Sequence, residues 1–244
     1  MQNLTVGFTK TMLQVFVITT LSLPLCVKAQ TGDMVSLSGS IGFSGLGGSD
    51  TIGSNFSRQL AFAVGSRYSH VFNQNYSLET GLDYVRGGAK VLGVKAFDNN
   101  GNLLGDAEVF ERLHHIQIPL MVKFYRRFSD KGVYLGLGPA FSLLVDQSRV
   151  YPVQYGLSRV SVRTFEMYKQ IDLGLVGGVG FFQEFGIKTS IFVEANISRG
   201  LIDVILTNTI PIPQQDRQTT AFNQRIEVRF GVSRYINVIY PDVY

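Results

Sequence analysis

Apolar residues recur at every second position through eight separate stretches of this chain. In the clearest, Tyr76, Leu78, Thr80, Leu82 and Tyr84 fall on one face and Ser77, Glu79, Gly81 and Asp83 on the other. A period of two is the signature of a strand with two unlike faces. The pattern predicts strands over 35–43, 59–72, 76–86, 114–125, 133–145, 168–181, 187–199 and 225–235. The connections alternate in length: a few residues after the second, fourth and sixth strands, and about 15 to 27 residues elsewhere, as short periplasmic turns and long outer loops do in outer-membrane barrels. Each stretch is long enough to cross a bilayer when tilted, which takes ~9–11 residues. The expected fold is all-β: an eight-stranded antiparallel up-and-down transmembrane β-barrel with short periplasmic turns, long extracellular loops and both termini periplasmic. Pro119, which lacks an N–H, predicts a bulge or local break in the strand over 114–125.

Periodicity alone does not say which face is inside. A soluble barrel of the lipocalin type also has eight up-and-down strands, with its apolar faces turned inward. The polar face separates the two. Here it is rich in Gly, Ser, Ala and Asn and poor in the Lys and Glu that a soluble exterior carries. Small residues suit a narrow filled interior, so the greasy face is expected outside, against lipid.

Composition and the N-terminus agree with that expectation. Residues 1–29 read as a cleaved signal peptide: Lys10 precedes the apolar run Met12–Leu25, and Val27-Lys28-Ala29 supplies small residues before Gln30. Residues 30–244 then form one barrel domain. The run is short for a membrane-spanning helix, which needs ~20 apolar residues. Leu25 before Cys26, the single cysteine, does not suit a lipid-attachment site. Removing Lys10 and Lys28 lowers the formal charge from +4 to +2, too little and too dispersed to point to nucleic acid. There are 26 glycines, 11 tyrosines, 18 phenylalanines and no tryptophan, as a Gly- and aromatic-rich closed sheet has.

Chemistry concentrates on the polar face. Arg67, Lys123, Lys188, Arg225 and Arg229 meet Glu79, Asp83, Asp172, Glu194 and Glu227 there. Two readings follow: a lumen network of buried ion pairs, or an ion pathway. Buried charges need partners, and an eight-stranded lumen is just wide enough for side chains, which favours the filled network, with His115 a further lumen residue. Asp172 and Glu194 could be imagined as an acid–base pair, but without a pocket they read as structural. His114 is expected on the lipid face near the outer end of its strand, where a serine partner would suggest lipid hydrolysis; none is matched to it. His70 lies far from the other two histidines, near a periplasmic turn, so no metal site or other cofactor is expected. Gly174–Gly180 lies within a strand and fails the context of a phosphate loop.

The loops carry the remaining candidates. Gly200–Pro213 contains Leu201, Ile202, Val204, Ile205, Leu206, Ile210 and Ile212, apolar enough to be either a docking surface for another membrane protein or a continuing strand. The Asp146–Met167 loop carries Arg149, Arg159 and Arg163, which could face anionic lipopolysaccharide, and alternating Val160 and Val162, which suggest a hairpin extension.

Several motifs carry a family likeness. Gly81-Leu82-Asp83-Tyr84-Val85-Arg86-Gly87-Gly88-Ala89-Lys90, His115-Ile116-Gln117-Ile118-Pro119-Leu120-Met121-Val122-Lys123-Phe124, Tyr134-Leu135-Gly136-Leu137-Gly138-Pro139, Asp172–Gly180 and Arg199-Gly200-Leu201 together resemble the PorT-like outer-membrane β-barrel family (porin-family proteins) of Bacteroidota. The resemblance implies a small non-enzymatic barrel and, through the name-giving members, a connection to type IX protein secretion. Its expected partners are outer-membrane lipid, lipopolysaccharide and other outer-membrane or secretion-system proteins. His115 and Gln117 depart from the Tyr and Glu usual in that family.

Overall fold

The alternation is realised strand by strand in a computed structural model, which describes residues 31–47, 56–98, 100–153, 158–163, 168–185, 188–204 and 221–239. The expected signal peptide with Cys26, and Ile187, Ile205, Leu206, Ile210 and Ile212, lie outside these residues. The strands are β1 (Thr31–Gly47), β2 (Phe56–Ser57), β3 (Gln59–Asn73), β4 (Tyr76–Phe97), β5 (Leu103–Phe128), β6 (Lys131–Tyr151), β7 (Val160–Arg163), β8 (Ile171–Phe185), β9 (Thr189–Gly200) and β10 (Phe222–Ile239).

Eight of them pair antiparallel with their neighbours in an up-and-down circuit, β1–β3–β4–β5–β6–β8–β9–β10, and β10 pairs back onto β1. Closure removes free sheet edges, which a lipid-embedded sheet cannot leave unpaired. The short strands β2 and β7 add to β4 and β6 beyond the barrel wall. Thr31 pairs with Ile239, so both described ends meet at the end of the barrel that also carries the short turns at 74–75 and 129–130.

The two faces settle which side is greasy. On β1, Leu37, Ile41 and Phe43 are exposed while Ser36, Ser38, Ser40 and Ser44 are buried. The same inversion runs around the wall: Leu135 is 58% exposed beside buried Tyr134. Apolar side chains outside and polar ones inside suit a barrel whose solvent is lipid and run opposite to a lipocalin.

Each predicted strand is present, and most are longer than their alternation. The largest difference lies between the third and fourth predicted strands. There β4 and β5 continue as one hairpin, from Gly87 opposite Leu113 to Phe97 opposite Leu103. Asp98 closes its tip by accepting hydrogen bonds from the backbone N–H groups of Asn100 and Asn102, both at 2.8 Å. Alternation fades in this stretch because strands that extend beyond the wall have no lipid face to keep apolar. The 160–163 segment pairs with β6 as the expected hairpin extension. At Pro119 the β4–β5 ladder skips from Thr80–Leu120 to Asp83–Gln117 without losing register, a local break rather than a bulge. The bulge lies instead at His114/His115, against β6.

Glycines make room for the buried charges. Across adjacent strands Arg67 faces Gly81, Asp83 faces Gly65, Lys123 faces Gly136, Glu194 faces Gly180 and Glu227 faces Gly42. A methyl group on Gly81 would lie 2.2 Å from the Ser66 carbonyl oxygen and 2.9 Å from Arg67 Cγ, and one on Gly65 would lie 2.1 Å from Asp83 Oδ1. Gly81→Val is therefore expected to lower unfolding free energy by about 1–3 kcal/mol or more, the usual penalty of overpacking. Urea unfolding in lipid vesicles measures it, and an unchanged midpoint would refute the close-approach role. Leu82→Ile, on the lipid face one residue away, is the matched control.

Candidate functional site

Among the described residues, the polar lumen gathers the most charged groups out of solvent. Eight of them form an unbroken alternating chain across the barrel. Glu194 on β9 meets Lys123 on β5 at 3.1 Å, and Lys123 meets Glu79 on β4 at 2.9 Å. Glu79 meets Arg67 on β3 at 2.8 Å, and Arg67 also holds Asp83 on β4. Asp83 meets Arg229 on β10 at 3.0 Å, Arg229 meets Glu227 at 3.1 Å, and Glu227 meets Arg225 at 3.0 Å. The chain holds as many acids as bases and is neutral. Every member is buried, Glu194 and Asp83 to 1% exposure. Neutral side chains complete it: the hydroxyls of Ser40, Ser69 and Tyr134 donate to Glu227, Glu79 and Glu194, and Arg225 donates to Gln117 at 2.8 Å.

Two of the ten expected lumen charges stand apart. Lys188 is exposed in the short turn before β9, because the strand begins only at Thr189 and its side chain escapes the barrel end. Asp172 is buried on β8 and accepts a hydrogen bond from Asn223 at 2.8 Å rather than joining the chain. It lines a cavity of about 50 Å³ together with His115, Gln117 and Arg225, room for a few waters.

Both mouths are stoppered. At the short-turn end Tyr125, Tyr134 and Phe182 pack ring on ring, with centroids 5.4 to 6.4 Å apart, and Lys123 Nζ sits 4.6 Å from the Tyr134 centroid. Arg127 lies over Phe182 and bonds Glu184 and Tyr235. A cavity of about 30 Å³ lies there. At the long-loop end Leu46, Ala89, Leu113, Tyr168, Val204 and Ala221 form an apolar cluster. Glu111, 1% exposed, sits just beyond with Arg149 as its partner. Sequence reasoning missed both stoppers. The aromatic one had a signal, since Tyr125, Tyr134, Phe182 and Phe192 all fall on the lumen parity near short turns. The apolar one joins residues remote in sequence and had none.

The apolar loop divides accordingly. Val204 is 2% exposed, inside the mouth rather than on a docking surface. Its backbone accepts from Lys169 at 2.7 Å and donates to Ala221 at 2.9 Å, which pulls it inward. Leu201 and Ile202 are exposed, and β9 stops at Gly200 rather than continuing. Arg149 likewise points to Glu111 and not to solvent lipid.

The histidines are separate. His114 stands on the outward face, its Nδ1 hydrogen-bonded to the Tyr84 phenol, and among the described residues no serine hydroxyl bonds it. His115 lines the upper cavity, and His70 Nδ1 lies 2.8 Å from Asp33 near the short-turn end. No group of three metal-ligating side chains occurs among the described residues. Gly174–Gly180 lies within β8.

A family model described as outer membrane protein beta-barrel domain matches residues 28–206. The chain belongs to the outer membrane protein beta-barrel domain family. Membership places it in the outer membrane, in agreement with its lipid-facing wall. The outer membrane protein OprG from Pseudomonas aeruginosa is 12% identical, with 85% of this chain and 97% of that one covered at a TM-score of 0.48. Neisserial surface protein A is 13% identical, with 85% and 99% covered at 0.43, and outer membrane protein W of E. coli is 14% identical, with 84% and 98% covered at 0.40. No curated protein matches the sequence.

Within this family member the charge chain makes a strong demand. Arg67→Met removes the guanidinium that Glu79 and Asp83 share, leaving Glu79 to Lys123 and Asp83 to Arg229 and the buried chain one positive charge short. Breaking a buried pair from one side costs about 3–5 kcal/mol. The cost of Arg67→Met combined with Glu79→Gln is expected to fall below the sum of the singles. Unfolding in lipid vesicles reads both. A single-variant loss under about 1 kcal/mol, the level of a surface pair, would show that the chain contributes little.

Proposed function

We propose that this protein is a non-conducting, non-enzymatic barrel that works as an interaction or assembly component, through surfaces at its long-loop end. The observation that carries this reading is the lumen: a neutral, buried chain of ion pairs stoppered at both mouths, which supports a closed barrel over a pore. Lipid hydrolysis finds less support, because His114 is engaged by Tyr84 with no serine bonded to it among the described residues.

The interaction surface follows from the β4–β5 hairpin. From Val94 opposite Ala107 to Phe97 opposite Leu103, neither strand has a described third neighbour. Such a ribbon presents unpaired backbone groups on its outer edges, the feature through which strand addition recruits partners. Leu103 at its tip is 57% exposed. We take the long-loop end as extracellular and both termini as periplasmic, on the habit of such barrels. The resemblance to PorT-like proteins of Bacteroidota makes type IX protein secretion the process in which to look for the partner, alongside other outer-membrane proteins.

In planar bilayers the refolded protein is expected to stay silent, whereas discrete, reproducible conductance steps would overturn the closed-barrel reading in favour of a small channel. Mild-detergent pull-down from the native outer membrane, read by mass spectrometry, is expected to recover a stoichiometric protein partner. Replacing 92–108 by an Asn-Gly turn should lose that partner while the barrel still folds. Recovery of a lone monomer, or equal recovery by the shortened variant, counts against the hairpin.

A further inference from the structure

The outward face above the apolar band carries a concentration of positive charge that the lumen chemistry does not use. Register fixes it. Arg86 on β4 lies directly opposite His114 on β5, and Arg112, two residues away on the same face, lies opposite Gly88. Across the next ladder Arg112 faces Ser148 on β6, which in turn faces Arg163 on β7. Arg159, just before β7, adds a fourth guanidinium whose charge reaches Arg112, as that of Arg86 does. Burial first, and then these two like charges, hold the Arg112 guanidinium below its usual range.

Among the described residues, one acid pairs with the four arginines, Asp146, 4.0 Å from Arg163. Among the described residues no carboxylate lies within ion-pair reach of Arg86, Arg112 or Arg159. The nearby Lys90 and Lys95, by contrast, are each paired, with Glu108 and Asp106. Like charges gathered on adjacent strands are destabilising unless an anion sits among them. The lower border of the patch is the lipid-facing wall: Arg86 lies 5.3 Å from the centre of the Phe62 ring, and Phe62, Tyr84 and Ile116 are exposed below it.

From the register, the charge excess and the apolar border together, we propose that Arg86, Arg112, Arg159 and Arg163 form a binding site for the phosphate groups of a phosphorylated outer-leaflet lipid. Guanidinium forks match phosphate oxygens in a bidentate manner, and the wall beneath accepts the acyl chains. A soluble anion would meet the same arginines but would not need that wall. The assignment rests on the orientation proposed above, with the long-loop end outward.

The test uses the refolded full-length barrel in detergent micelles. Bisphosphorylated lipid A is expected to raise its melting temperature, with dephosphorylated lipid A and inorganic phosphate giving no comparable shift. Apparent affinity should fall about fivefold for each arginine removed, since one basic group near an anionic surface contributes ~1 kcal/mol. Charge reversal in R86E/R112E should abolish the shift, R86K/R112K should keep most of it, and R126E, at the opposite end of β5, should leave it intact. An equal shift in R86E/R112E, or with dephosphorylated lipid, overturns the site; an equal shift with inorganic phosphate assigns it to a soluble anion and overturns the lipid. If R86E/R112E does not fold, the wild-type shift must still weaken between low and high salt, and a salt-insensitive shift rejects the proposal. Labelling of Asn100→Cys in intact cells with an impermeant maleimide reports the orientation separately, so a failed orientation is distinguishable from a failed site.

Discussion

Arg67 is the residue on which the interior turns. It bridges Glu79 and Asp83 on the neighbouring strand and thereby joins the two halves of the charge chain. A lumen of eight strands leaves no bulk water to solvate an ion. The eight charges of the chain must therefore neutralise one another, which alternation achieves; Asp172, outside the chain, relies on Asn223. That requirement fixes the order of acids and bases along β3, β4, β5, β9 and β10. It also fixes the glycines opposite them, because a side chain of Arg or Glu size occupies the space of its cross-strand neighbour as well as its own.

The outer wall obeys the opposite rule with the same geometry. Lipid offers no hydrogen-bond partner, so the backbone must be paired all the way round, and the side chains beyond it need only be apolar. Any of Leu, Ile, Val or Phe meets that demand, whereas the inner face must also match charge and volume. A mutation's cost should therefore depend on its parity along the strand more than on its depth in the membrane. The bulge at His114/His115 lies where the β4–β5 hairpin begins, next to Leu113.

A filled lumen with a stopper at each mouth is the observation from which the proposal places function on the outside. The aromatic stopper is tied by Lys123 into the ion chain, and the apolar one is completed by Val204, drawn in by backbone hydrogen bonds to Lys169 and Ala221. Among the described residues, the β4–β5 ribbon extends beyond them, with the arginine patch at its base. The ribbon offers backbone and a few apolar side chains, and the patch offers charge beside the lipid wall. In the function proposed above, these are the surfaces that would meet a partner and a lipid.

The sequence by itself determined the strands, their faces and their number, because a period of two written eight times admits few other folds. It also marked nearly all of the buried charges, since a charged residue on the small-residue face has only the lumen to enter. It misplaced Lys188, which has the correct parity but lies past the strand end, where a long flexible stem reaches water. It did not reveal which acid meets which base, because pairing across the lumen joins residues up to 146 positions apart, as in Arg229 with Asp83. Nor did it reveal that Val204 and Arg149 turn inward, or that Arg86 and Arg112 share a face with Arg163. Those outcomes depend on register and on a bulge, which shift by single residues and leave no periodic trace, so tertiary structure alone decided them.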